Sequence, residues 1–202
     1  MHGLDRFDED DTGTVFRDVI TLALAGFVSA VILLLPHVAP RAARTSEGVK
    51  APGNVIIEAN WPADLDTDVD LWVQGPGDIP VGYSNKGGGL FNLLRDDLGH
   101  VLDVSGLNYE VAYSRGVIAG EYIVNLHLYR NIAGRVPVPA HVVASVKPDV
   151  EGPAHQIVVS DIDLSREGQE TTVFRFSLDG DGKLVPGSVH NLQLPLRSGS
   201  KS

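Results

Sequence analysis

The chain has 202 residues, with 26 acidic and 16 basic side chains and a formal net charge of -10. That balance opposes nucleic-acid binding, which needs a basic face to displace counterions from phosphate. The lack of cysteine excludes disulfides, thiolate metal sites and a thiol nucleophile. Hydrophobic residues make up 43% and charged residues 21%, so the chain as a whole is not disordered. A mean hydropathy of +0.04 is high for so acidic a chain and points to one very apolar segment in an otherwise polar protein.

Residues 1–14 form an acidic tail that contains the run FDEDD. From Val19 to Leu35 the chain reads VITLALAGFVSAVILLL without a charge, and Val15 and Phe16 extend the run upstream. At about 1.5 Å per residue, residues 15–38 can cross a hydrocarbon core of about 30 Å. The reading is one transmembrane helix. A buried core helix fits less well, because the run is apolar on nearly all faces. A cleaved signal peptide wants a basic start and a short apolar stretch. Ala39, Ala42 and Ala43 offer small residues for cleavage, but the start is acidic and the run is long.

Asp18 sits at the start of this run. An ionisable side chain at a membrane boundary is a candidate functional group, although an aspartate in a first helical turn also suits the helix dipole. Helical steps from Asp18 reach Thr21, Ala25 and Ser29, a stripe of small or polar groups. Ala25 and Ser29, like Gly26 and Ala30, have the spacing that lets membrane helices approach closely. The string FRDVITLALAGFVSAVILLLP resembles the single membrane helix of B-type subunits of ion-driven stators, the MotB, ExbD and TolR families. The resemblance implies that Asp18 carries a translocated proton or sodium ion and that Thr21 shares its polar face. It further implies a homodimer enclosed by a multi-span partner of the MotA/ExbB/TolQ type. The expected location is the bacterial inner membrane, with the N-terminus cytoplasmic and the C-terminal domain periplasmic. The basic residues Arg41, Arg44 and Lys50 after the helix weigh slightly the other way.

Residues 39–53 are rich in Pro, Ala and small polar residues and read as a linker. From residue 54 to 196 the text is β-like. Strand patterns occur at 54–61, 68–75, 109–114, 120–130, 140–147, 155–164 and 170–178, separated by Gly- and Pro-rich turns. FNLLRDD at 91–97 reads as a short helical turn, and residues 197–202 as a flexible tail. The expected fold class is an all-β sandwich of about seven to nine strands preceded by a single transmembrane helix. The exported domain resembles bacterial β-sandwich domains of the YfaP type. The elements that carry this likeness are Asp68, Asp70, Leu71 and Val73; Pro76-Gly77; Asp96 with Gly99; Glu110; and Gly120, Tyr122 and Val124. It implies a fold and no particular activity.

Asp64, Asp66, Asp68 and Asp70 alternate, so an extended strand would point all of them to one side. Such carboxylates need a cation, and hard oxygen ligands suit Ca²⁺, with Asp96 and Asp97 completing a shell. A solvated edge or turn is the other reading. DGDGKL at 179–184 has the look of a calcium loop but sits between strands, where Asp-Gly favours a hairpin. The histidines are scattered, with His127 and His141 in strand-like segments, and no hydrolase, phosphate-loop or dinucleotide motif occurs. Trp61 and Trp72 are read as core in preference to a sugar platform. The sequence therefore points to a stator-type membrane subunit whose sandwich engages an envelope partner. The competing class is a binding module for envelope protein or polysaccharide on an inert anchor; neither is an enzyme.

Overall fold

One helix and eight strands follow in chain order in the computed structural model, which describes residues 9–38, 53–97, 107–147 and 152–197. The helix α1 spans Glu9–Val38. It begins six residues before the expected span. Its stretch Val15–Ile32 has a hydropathy of 1.9, and none of it is buried, so it is long and apolar enough to cross a membrane. The helix belongs to one compact unit, Met1–Lys50, and the strands to another, Ala51–Ser202. Residues 1–8 of the acidic tail, 39–52 of the linker, 198–202 of the C-terminal tail and Gly99 lie outside the described residues.

The strands are β1 Val55–Asn60, β2 Thr67–Gln74, β3 Phe91–Arg95, β4 Tyr109–Ser114, β5 Gly120–Asn131, β6 Val138–Val146, β7 His155–Leu164 and β8 Glu170–Leu178. They form two antiparallel sheets, ordered β3-β4-β1-β6-β7 and β2-β5-β8. The protein is thus an all-β sandwich after a single helix. Alternation decides the inner faces. Val55, Ile57 and Ala59 of β1 meet Val69, Leu71 and Val73 of β2 and Tyr122, Val124, Leu126 and Leu128 of β5 in one core. Tyr122 stacks on Phe176 and meets Phe91 edge-on.

The segment 91–97 is a correction. Phe91–Arg95 is a strand, paired with β4, with Phe91 and Leu93 buried and Leu94 exposed. Period-two burial won over the helical reading because Phe91 and Leu93 can both reach the core only from an extended chain. The stretch 179–184 is a tight turn: Asp179 accepts hydrogen bonds from the backbone of Asp181 and Lys183, and Leu178 bridges Leu184.

Between β2 and β3 the chain folds over Trp72. A Cβ on Gly82 would lie 2.4 Å from the indole, so only glycine lets the backbone pass this close. Asp78 organises the glycine-rich stretch that follows, accepting from the backbone N–H of Ile79, Gly89, Leu90 and Phe91. Burial pushes its carboxyl up, but the donors outweigh burial and hold it below the usual carboxylate range. The folded-state value is below the unfolded one, so this stabilisation is present above the unfolded value and is lost as pH falls through the folded one. Asp78→Ala is expected to cost about 1–3 kcal/mol at neutral pH. Thermal melts of the two proteins should converge as pH drops below about 4.

Candidate functional site

The polar residues that the fold gathers lie along the free edge and outer face of β2. Strand β2 is the end strand of its sheet, so its backbone has no strand partner on one side. Val73 exchanges two backbone hydrogen bonds with Val81 there. Leu71 instead donates its N–H to Glu110 Oε2 at 2.7 Å, while Glu110 Oε1 accepts from Asp97 N at 3.1 Å. Glu110 stands on β4, in the opposite sheet, and is fully buried. One side chain therefore ties the two sheets and the end of the β3 segment together.

On the outer face of β2, Asp68 and Asp70 are each about 3% exposed. Cross-strand register supplies each with a base. Asp70 lies opposite His127, and Asp68 opposite Arg130. The register slips beside Asp68, where Tyr129 has no β2 partner; this bulge brings Arg130 into line with Asp68. His127 Nδ1 lies 2.7 Å from Asp70 Oδ2, and its Nε2 lies 2.7 Å from Arg197 Nη1. A guanidinium has only donors, so Nε2 accepts and the imidazole carries its proton on Nδ1, toward Asp70. Arg130 Nη2 is 3.8 Å from Asp68 Oδ2.

Asp96 and Asp97 come from the end of the β3 segment and do different jobs. Asp97 is held by Arg95 at 3.0 Å and accepts from the Tyr109 backbone. The Arg95 guanidinium also lies over the Tyr109 ring. Asp96 pairs with Lys86 at 2.8 Å. Oxygens of Asp70, Asp96 and Glu110 all lie within 4.8 Å of one another. Burial pushes the Glu110 carboxyl well above its ordinary range, and Asp70 and Asp96 add to the shift. Burial also raises Asp70, against the opposing effect of His127. Asp68 is pushed up to about 7 by burial and then by the charge of Asp70.

The expected row of four aspartates on one face does not form. Thr67 opens the strand, so Asp64 and Asp66 precede it. Asp64 is exposed and pairs with Arg135 at 3.1 Å, and the Asp66 carbonyl accepts from Ala133 N. The turn they occupy is fixed by Asn108, whose amide donates to the carbonyls of Pro62 and Leu65. Glu110 takes the place in the cluster that the sequence reading gave to Asp64, Asp66 and Asp97. The signal for it was present: Glu110 shares the inward face of β4 with Ala112, an odd position for an acid.

The C-terminal segment closes the outer face of this sheet. Thr172 N donates to Gln193, Asn125 donates to the Leu194 carbonyl, and Leu196 N donates to Glu170. Leu196 packs with Trp72 and Ile123 in a small apolar cluster. Both tryptophans are buried, and Trp61 donates to the Thr67 carbonyl. Trp61 also borders a groove of about 500 Å³ that carries the exposed His141–Asp161 pair. His127 and His141 lie in different sheets, each with its own aspartate.

On the helix, Asp18 and the small-residue positions Ala25, Gly26, Ser29 and Ala30 are exposed. Thr21 and Ser29 donate to the carbonyls of Arg17 and Ala25, each at 2.8 Å, so both hydroxyls are satisfied within their own helix. Compared with known protein families, curated proteins and solved structures, the chain matches none.

Removing the Glu110 carboxylate would leave two buried backbone donors without an acceptor. Glu110→Ala is expected to destabilise the domain by about 3 kcal/mol or more, and Glu110→Gln, which keeps one acceptor oxygen, by clearly less. Denaturant titration followed by tryptophan fluorescence reads both.

Proposed function

We propose that this chain is the single-span subunit of an ion-driven, stator-like complex in the bacterial inner membrane. Its N-terminus is cytoplasmic, and its β-sandwich reaches into the periplasm to engage an envelope partner. The observation that carries this reading is Asp18, an acid on the helix that contains the one span long and apolar enough to cross a membrane among the described residues. Thr21 and Ser29 satisfy their hydroxyls internally and make no demand on a neighbour. A carboxylate in or at lipid does make that demand, because its charged form needs water, a counter-charge or a surrounding protein.

A carrier aspartate must meet water in one state and a drier site in another. One helix cannot build both environments, so a multi-span protein of the MotA/ExbB/TolQ type must enclose it, around a homodimer of this chain. The small side chains of Ala25, Gly26, Ser29 and Ala30 would allow the close helix contact that such an assembly requires.

A second reading keeps the anchor inert and gives the function to the sandwich, as a binding module for envelope protein or polysaccharide. The groove bordered by Trp61, His141 and Asp161 favours it, because it offers an aromatic ring beside exposed polar groups. Neither reading assigns a catalytic residue.

The test is co-expression of the full chain with such a multi-span protein and purification in mild detergent. The stator reading expects a stable complex. It also expects Asp18→Asn to leave that complex assembled while ion flux falls to the background of empty membranes. Unaltered flux in the variant, or no complex, gives the role to the sandwich alone.

A further inference from the structure

Three acids from three different parts of the domain meet at one point: Asp70 from β2, Asp96 from the segment after β3, and Glu110 from β4. Sequence separation alone would not gather them, and mutual repulsion would scatter them if burial allowed it. Their basic neighbours, His127 on Asp70 and Lys86 on Asp96, do not engage every oxygen. Lys86 takes one oxygen of Asp96, and the other, Oδ1, is buried with no hydrogen-bond partner among the described residues. Asp68, two residues before Asp70 on the same strand face, is about 3% exposed, and its Oδ1 also has no partner among the described residues. A carboxylate oxygen out of water with nothing to accept is costly and asks for an occupant. Glu110 already receives two N–H donors, but each carboxylate oxygen keeps a second lone-pair direction free.

We propose that Asp70, Asp96 and Glu110 form a divalent-cation site of the calcium type, joining the two sheets at the edge of β2, with the buried Asp68 adding negative charge from the same strand face. The donors are all hard oxygens, which suits calcium and disfavours softer metals. Ligand oxygens of the three acids lie within 4.8 Å of one another, close enough to share one ion, and three carboxylates with room for carbonyls or waters suit the flexible coordination of Ca²⁺. His127 is not a ligand, since Asp70 and Arg197 occupy both of its ring nitrogens. Waters complete a shell of six to eight oxygens. This site is independent of the helix and of any ion that Asp18 handles.

The full chain in detergent, stripped with EDTA and exchanged into chelator-free buffer, gives the test. Calcium chloride is titrated while domain melting is followed by tryptophan fluorescence, with magnesium chloride and ionic-strength-matched sodium chloride as controls. Isothermal titration of calcium gives the stoichiometry. The site predicts one Ca²⁺ per chain, with a dissociation constant of about 1 mM or tighter. It also predicts a melting rise of several degrees that magnesium and sodium do not match. Asp96→Asn is the informative variant, because Asp96 is the least buried of the three and its loss leaves the Glu110 backbone bonds intact. It should weaken calcium binding at least about tenfold while the metal-free melting point changes little. No calcium uptake up to 10 times that concentration, or an equal melting shift with sodium chloride, overturns the site. So does calcium binding that Asp96→Asn leaves unchanged.

Discussion

An end strand buried at the seam of a sandwich has backbone donors with nowhere to go, and the way β2 resolves this determines much of the domain. The Leu71 N–H faces the opposite sheet, and Glu110 reaches across to take it. The same carboxylate takes the Asp97 N–H, which fixes where the chain leaves β3. An apolar residue at 110 would fill the space and leave both donors unpaired. The acid is therefore required by backbone geometry, at the expense of burying a group that burial drives toward its neutral form.

Once an acid sits there, its neighbours have to be managed. Asp68 and Asp70 are placed opposite Arg130 and His127 by strand register, so each acid meets a basic side chain on the same sheet face. The bulge at Tyr129 is what brings Arg130 opposite Asp68. Arg197 then caps His127, and the residues before it lie over Trp72 and Asn125. The C-terminal segment thus belongs to the fold as much as the strands do, even though it has no regular secondary structure.

Much of this was legible from the sequence, for physical reasons that differ by element. Strands at 109–114, 155–164 and 170–178 could be read to the residue, because turn-forming glycine or proline lies close to each and β-branched or aromatic residues are frequent in them. The segment at 91–95 was misread because adjacent Leu93 and Leu94 break the visible alternation, although only one of them is buried. The alternation placed Asp64, Asp66, Asp68 and Asp70 on one strand face, and only Asp68 and Asp70 lie on the strand. A two-residue period assumes that the strand is already running at Asp64, whereas the turn braced by Asn108 delays it to Thr67. Glu110, His127 and Arg197 come together through pairing across 39 to 70 residues, a scale on which local pattern carries no signal.

The order of strands has a mechanical side. The chain enters the sandwich at β1, which lies in the middle of the five-stranded sheet with β4 on one flank and β6 on the other. Tension drawn along the incoming chain would act along β1, against two ladders of antiparallel hydrogen bonds at once. Lateral rows of that kind rupture together in shear, whereas an edge strand would peel away one bond at a time. Asn54 strengthens the entry point, its backbone bonded to Ser114 and Lys147 and its amide to the Lys147 carbonyl. The chain therefore enters the domain through a strand held on both sides, where a pull on it loads two ladders together and no edge is offered to peel.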